Sequence, residues 1–278
     1  MPWYVRIQGI SRTAIWIALV IGFAVPLVKP LGLPLNITDA TVAAFNMIDN
    51  LPAGSIIFQS VGITPATDAE TWPQLMAMSR HYMSKGLRII FFPTFQEGGM
   101  YAERVKAVAP EYGYTYGQDY AILPFKAGGE ATIAALRDFY SLITTDTYGT
   151  PLSNLPLFGG FSGMQDVDML VSITGGEDPV HYVKHIEPVY KMPVVACGTA
   201  PLLPVINPYV AARQIQATVI GLSGAAEYEA LAKVPGSATG AMDAQQVGHL
   251  LIVTLIVLSN VGAYFQRRSK RVAAGVSQ

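Results

Sequence analysis

The sequence predicts an α/β fold: a doubly wound, mostly parallel sheet of about five strands, flanked by one transmembrane helix at each end. Three observations carry this. Long uncharged apolar runs stand near both ends, short β-rich runs alternate with helix-like stretches between them, and charge is sorted between ends and middle.

The end runs come first. The 278 residues are 51% hydrophobic and only 13% charged, against about 25% charged in ordinary soluble domains, so much of the chain suits lipid. Thr13 to Val28 reads TAIWIALVIGFAVPLV, and Leu31, Leu33 and Leu35 can extend it past Lys29 and two prolines. A span needs about 20 apolar residues, and about 17 suffice. A cleaved signal peptide has the same basic start and apolar centre. Phe23 to Pro34, however, offers bulky residues and prolines where a small-x-small cleavage site is needed, so a retained span is expected. Val247 to Phe265 reads VGHLLIVTLIVLSNVGAYF and runs into QRRSKR, an aromatic anchor followed by a basic clamp.

Charge sets the expected topology. Residues 1–35 and 247–278 contain no acid and hold Arg6, Arg12, Lys29, Arg267, Arg268, Lys270 and Arg271. All 19 acids therefore fall in 36–246 against the other 11 of 18 Lys and Arg, which leaves that stretch at −8. Short basic segments stay in the cytoplasm. The expected layout is a cytoplasmic N-terminus and first helix over 1–35, an extracytoplasmic domain over 36–246, and a second helix with a basic cytoplasmic tail over 247–278. Localisation is thus the cell membrane, two-pass, with both termini inside. Basic ends around an acidic middle argue against nucleic acid as a partner. Asn36-Ile37-Thr38 would be a glycosylation sequon on the outer side, a triplet common by chance.

Between the spans, strands are expected at Ser55–Ile63, Leu87–Phe95, Tyr120–Phe125, Asp168–Ile173 and Met192–Cys197, each near-continuously apolar. Helices are expected near 69–85, 100–112, 129–143, 179–190 and 208–233. Apolar strands alternating with helices indicate a Rossmann-like parallel sheet covered on both faces. The 144–166 connection is long for an α/β loop, and its prolines, glycines and apolar residues suggest an ordered flap. The last helix should return antiparallel to the strands. The short segment Pro235 to Gln246 would then lead into the second span, placing the sheet's N-terminal edge toward the membrane.

MIDNLPAGSIIFQS, YGQDYAILPFKAGGEATI, TDTYGTPLSNLPL, GLSGAAEYEAL and MDAQQVGHLLIVTLIVLSN resemble an uncharacterised family of prokaryotic two-span membrane-anchored α/β proteins. The resemblance covers most of 45–265. It implies the two-span architecture and carries no activity, cofactor or catalytic residue.

Ligands of open α/β sheets bind outside the carboxyl ends of the strands. The loops expected there carry Thr67 and Asp68; Glu97, Gly98 and Gly99; Lys126, Gly128, Gly129 and Glu130; Gly175, Gly176, Glu177 and Asp178; and Gly198 with Thr199. Gly-Gly pairs allow close backbone approach to a ligand, and an anion could sit at the helix starts beside Lys126. The alternative is ordinary turn chemistry, Gly for the turn and then an acid for the helix dipole. Neither GxGxxG nor the P-loop pattern occurs in these loops, and no cofactor is expected.

His181 and His185 share a helix face near Glu177, Asp178 and Glu187. HExxH is absent, so a solvated face rather than a metal site is expected. Cys197, the single cysteine, reads as a small buried hydrophobe. Gly160-Phe-Ser-Gly163 precedes a strand, where a nucleophile elbow would follow one. Gly221-Leu-Ser-Gly-Ala-Ala226 offers a small-residue face for packing against the sheet or another chain, and Ser259 and Asn260 in the second span should seek partners on a neighbouring helix.

Three functions compete. A non-catalytic structural or assembly subunit of a homo- or hetero-oligomeric membrane complex comes first, with the bilayer and other membrane subunits as partners. An extracytoplasmic small-molecule-binding module comes second. A Rossmann-like transferase comes third, and would need Glu97, Glu130, Glu177 or Asp178 as base.

Overall fold

The computed structural model describes residues 2–234 and 236–275. Pro235, at the head of the segment expected to lead into the second span, and residues 276–278 of the basic tail lie outside the described residues. The chain separates into two compact units, Leu35–Ala238 and the two ends, Met1–Pro34 with Thr239–Gln278.

The ends begin with helices α1 (Trp3–Gln8) and α2 (Arg12–Val28). The larger unit then runs α3 (Asp39–Asp49), β1 (Ile56–Gly62), α4 (Asp68–Ser84), β2 (Arg88–Pro93), α5 (Gly98–Val105), β3 (Tyr120–Ile122), α6 (Glu130–Ala135), α7 (Phe139–Leu142), β4 (Met169–Thr174), α8 (Asp178–His185), α9 (Glu187–Tyr190), β5 (Val194–Gly198), α10 (Leu203–Ala211), β6 (Ala217–Ile220) and α11 (Gly221–Ala232). Helix α12 (Ser237–Gly275) closes the chain.

The sheet has six strands in the order β3-β2-β1-β4-β5-β6, and every neighbouring pair is parallel, Ile57 facing Ile89 on one side and Met169 on the other. Alternate residues feed two cores. Ile57, Val61, Phe91, Val171, Val195 and Val219 pack under α3, α4, α5 and α11; Phe58, Ile90, Phe92, Leu170 and Ala196 pack under α6, α7, α8 and α10. Both faces are buried, which is why the strands read as continuous apolar runs. The order reverses between β1 and β4, where the chain leaves β3 and crosses back.

β1, β2 and β3 fall within the expected stretches and β4 and β5 run one residue past theirs, to Thr174 and Gly198, but a sixth strand, β6, lies inside the expected helix 208–233. Its four residues, Ala-Thr-Val-Ile, stand between Arg213-Gln-Ile-Gln216 and Gly221-Leu-Ser-Gly224, and a run this short cannot separate period 2 from period 3.6. Three other expected helices are shorter or broken. The 100–112 stretch stops at Val105, followed by a 3-10 turn at Ala109–Tyr112 that holds Pro110 and ends on Gly113. The 129–143 and 179–190 stretches each divide in two, the latter at Ile186, ahead of Pro188. Helix α3 lies where no element was expected; Thr38 caps it and Asp39 sits in its first turn. The 144–166 flap is ordered: Leu152, Leu157, Phe158, Phe161 and Met164 enter the second core. Its tip is tied by Asp146, whose carboxylate accepts the Tyr148 and Thr150 amides and the Tyr116 hydroxyl.

Buried polar side chains cross-link the first face. Gln74 donates to the carbonyls of Gly198 and Gly221, joining α4 to β5 and α11. His81 stacks on Phe45 at 4.7 Å, meets the Tyr228 hydroxyl at 2.8 Å and meets Asp49 at 3.2 Å, so α3, α4 and α11 share one histidine. Glu227 accepts from the amide and hydroxyl of Thr38, and Glu229 accepts the Ala238 amide. Helix α11 therefore holds both ends of the unit.

In the terminal unit, among the described residues, one helix rather than two is long and apolar enough to cross a membrane. Its qualifying stretch is Ser237–Ser269 of α12. That helix takes in most of the short segment expected before Val247. At 39 residues it is about 58 Å long. Helix α2 is apolar but has only 17 residues, about 25 Å. It stops because Lys29 leaves the helical region ahead of Pro30, and Pro26 already sits within its last turn.

The two pack antiparallel through glycines. A methyl at Gly22 would lie 2.5 Å from Leu251 Cδ1, one at Gly240 would lie 3.1 Å from the Pro26 carbonyl, and one at Gly248 would strike the Phe23 ring. Gly240, Ala244 and Gly248 recur every four residues, a face that lets helix backbones approach closely. Beyond α2, Gly32 at φ +66° turns the chain so that the Leu31, Gly32 and Leu33 amides all point at Asp243 of α12. Asn260, expected to reach a neighbouring helix, instead donates to its own Ile256 carbonyl at 3.0 Å.

Candidate functional site at the β1–β4 switch point

The reversal of strand order puts a crevice at the carboxyl ends of β1 and β4, the place where ligands bind in this topology. Gly62 ends β1, Thr174 ends β4, Thr94 follows β2, and Asp178 opens α8. The Thr94 hydroxyl donates to Asp178 Oδ2 at 2.6 Å. The Thr174 hydroxyl also lies close enough to favour the charged carboxylate, and its Oγ1 accepts the Gly176 amide at 3.0 Å. Gly62 makes the room: a Cβ there would lie 2.5 Å from Thr174 Oγ1 and 2.6 Å from Asp178 Oδ2.

Asp178 is 7% exposed. Burial pushes its carboxyl above the ordinary carboxylate range, and the two threonine hydroxyls pull the other way. Beneath it, Ser60 and Ser172 face each other in register across β1 and β4. The Ser60 side chain also approaches the Tyr182 phenol of α8. All three hydroxyls are buried, and none completes a hydrogen bond of ordinary geometry with the described residues.

A second cluster lies on the outer face of α8. Glu130 meets His185 Nε2 at 2.8 Å, His181 Nδ1 at 3.4 Å and Lys184 Nζ at 3.7 Å. The His185 hydrogen bond leads in holding the Glu130 carboxyl below its usual value. Both histidines thus contact Glu130 of α6 rather than Glu177 or Glu187, which are nearer in sequence. Among the described residues, no group of three or more His, Cys, Asp or Glu is placed to hold a metal ion.

The other sequence-predicted residues divide by role. Gly98 and Gly198 lie so close to the carbonyls of Val61 and Thr174 that a Cβ would collide with backbone, and Gly175 lies equally close to the Thr67 methyl. These glycines bring strands and loops together. Gly128 and Gly129 take positive φ to turn into α6, and Gly99 and Gly176 have room for a methyl. Thr67 closes its own turn with Thr64, and Asp68 accepts the Tyr101 hydroxyl at 3.1 Å. Thr199 is buried, Lys126 half-buried, and Glu97 and Glu177 are exposed at helix starts without capping bonds. Of the set, Asp178 and the Gly175–Gly176 turn adjoin Thr174 at the switch point.

Sequence reasoning missed Thr94, Gly62 and the hydroxyls of Ser60, Ser172 and Tyr182. Polar residues inside otherwise apolar strands were the available signal. Cys197 is buried, its thiol 3.7 Å from Met78 Sδ and raised well above the usual range by burial, so it is inert. Ser162 lies in the turn before β4, its amide bound to Asp166. The small residues of α11 serve packing inside the unit, Gly224 against Val219.

Comparison with known proteins returns no matching family model, no matching curated protein and no matching solved structure. The site therefore has to be read from its own chemistry. A buried carboxyl held by a threonine hydroxyl can orient a donor group or accept a proton.

Proposed function

We propose that the chain is a membrane-anchored, non-catalytic structural or assembly subunit of a homo- or hetero-oligomeric membrane complex. In this reading α12 crosses the bilayer and α2 pairs with it as a second, shorter arm. Both termini are cytoplasmic and the α/β domain lies outside.

The observation that carries the reading is the outward apolar surface of the helix pair. Leu250, Val253, Ile256 and Val257 of α12 are 67, 57, 54 and 53% exposed, and Trp16, Val20 and Ile21 of α2 are 67, 63 and 56% exposed. Patches of this size are not left in water, and the helix–helix contact is reserved for glycines. Support for assembly comes from the sheet's carboxyl edge, where Phe95, Met100, Phe125 and Leu203 are exposed on adjoining loops and helix starts.

The test is extraction followed by mass measurement in detergent. Resistance to alkaline carbonate and a mass above one chain are the expected results. A protein released by carbonate, or strictly monomeric at physiological concentration, refutes the reading. A second reading, an extracytoplasmic small-molecule-binding module, draws on one observation, the buried Asp178 carboxyl at the switch point. A ligand screen by thermal shift, compared between the native chain and Gly176→Phe, decides it.

A further inference from the structure

We infer that the end of the helix pair bearing Arg6, Arg12, Arg267 and Arg268 is a binding surface for anionic phospholipid head groups. The inference rests on the membrane reading above and adds the lipid class. The antiparallel contacts, Gly22 with Leu251 and Gly240 with Pro26, bring the start of α2 and the far part of α12 to one end. Arg12 opens α2, Arg6 lies in the last turn of α1, and α12 stays helical through 267 and 268 to Gly275. All four arginines are exposed, and among the described residues none makes an ion pair.

No acid competes for them. The terminal unit contains one, Asp243, which lies at the opposite end and has both oxygens occupied by backbone amides. Aromatic side chains mark the level of the head groups: Tyr264, 61% exposed, stacks edge-on against Phe265 at 5.5 Å, one turn before the arginines, and Trp16 lies one turn inside Arg12. Four exposed guanidiniums near interfacial aromatic side chains suit the phosphate level of a bilayer, and a planar guanidinium binds a phosphate through paired donors. Lys270 and Arg271 follow in sequence and extend the basic run.

The full-length chain is reconstituted in nanodiscs of phosphatidylcholine containing a tenth phosphatidylglycerol, and the lipids retained after detergent transfer are counted by native mass spectrometry. Retention enriched in phosphatidylglycerol is expected. Replacing the four arginines by glutamine should reduce the enrichment about fivefold per charge removed until none is left; replacement by lysine should keep most of it. Equal retention of the two lipids by the native chain, or unchanged enrichment in the glutamine variant, overturns the inference and leaves the anchor intact. A chain that never incorporates into the nanodiscs removes the membrane reading and the inference together.

Discussion

The Gly32 amide donates to the Asp243 carboxylate at 2.9 Å across 211 residues of chain, and the flanking Leu31 and Leu33 amides donate to the same carboxylate at 2.6 and 3.1 Å. Successive amides around an αL glycine form a concave anion site, filled here by the protein's own side chain. Asp243 is 1% exposed, so the loop after α2 and the first turns of α12 behave as one piece. Each hydrogen bond to a charged group contributes about 1.5–3 kcal/mol. Asp243→Ala removes all three and should therefore destabilise the helix pair by about 4 kcal/mol or more, seen as earlier proteolysis of the 29–34 loop in detergent. Asp243→Asn, which keeps one acceptor, should lose less. Equal protection of the alanine variant and the native chain would mean that the three bonds are dispensable.

The glycines at the sheet's carboxyl edge separate packing from ligand binding. Gly98→Ala and Gly198→Ala push a methyl into the backbone carbonyls of Val61 and Thr174, and each should cost about 2 kcal/mol or more. Gly99→Ala meets only the Pro93 ring edge at 3.8 Å and should cost nothing measurable. Chemical denaturation of the three variants checks the ordering. Native stability in Gly198→Ala would return that glycine to the list of ligand contacts.

His81 makes the fold sensitive to acid. Burial lowers its pKa from the ordinary 6.5, with the Asp49 hydrogen bond opposing. The unfolded chain therefore takes up a proton first as pH falls, so stability is full above about 6.5 and declines as pH drops through the folded value. His81→Gln should flatten the melting temperature between pH 7 and 5, though the variant starts lower because the link to Tyr228 weakens. An unaltered slope would point to another group.

Asp178 has the opposite sign. Its folded pKa is raised by burial, so its contribution to stability is complete below the unfolded value near 3.8 and is lost as pH rises through the folded one. Asp178→Asn should keep an acceptor for the Thr94 hydroxyl and raise the melting temperature at pH 7. A site that carries such a cost in the native chain is where function is expected to trade against stability. A lower melting temperature for the variant would make Asp178 a purely structural residue.

Much of the fold was legible locally. β1, β2, β4 and β5 lie inside a two-sided sheet, so each announces itself as an apolar run within a single window of sequence. α12 does the same, because its apolar residues form one long uninterrupted run. Where the local signal thins, the reading failed. β6 is four residues at the edge of the sheet, and α2 has the composition of a span but two prolines and a lysine that end it at 17 residues.

The amino-acid sequence by itself determined the parallel α/β architecture, the long terminal helix and the sorting of charge, since periodicity, apolar length and formal charge belong to neighbouring residues. Tertiary structure alone decided what the polar groups do. Thr94 meets Asp178 across 84 positions, and Glu130 meets His185 across 55. In the Gly-Gly turns, Gly98 is crowded by the Val61 carbonyl of β1 and Gly175 by the Thr67 side chain, contacts that come from distant parts of the chain. A hydrogen bond between distant positions depends on where the sheet places its strand ends, and no stretch of neighbouring residues specifies that placement.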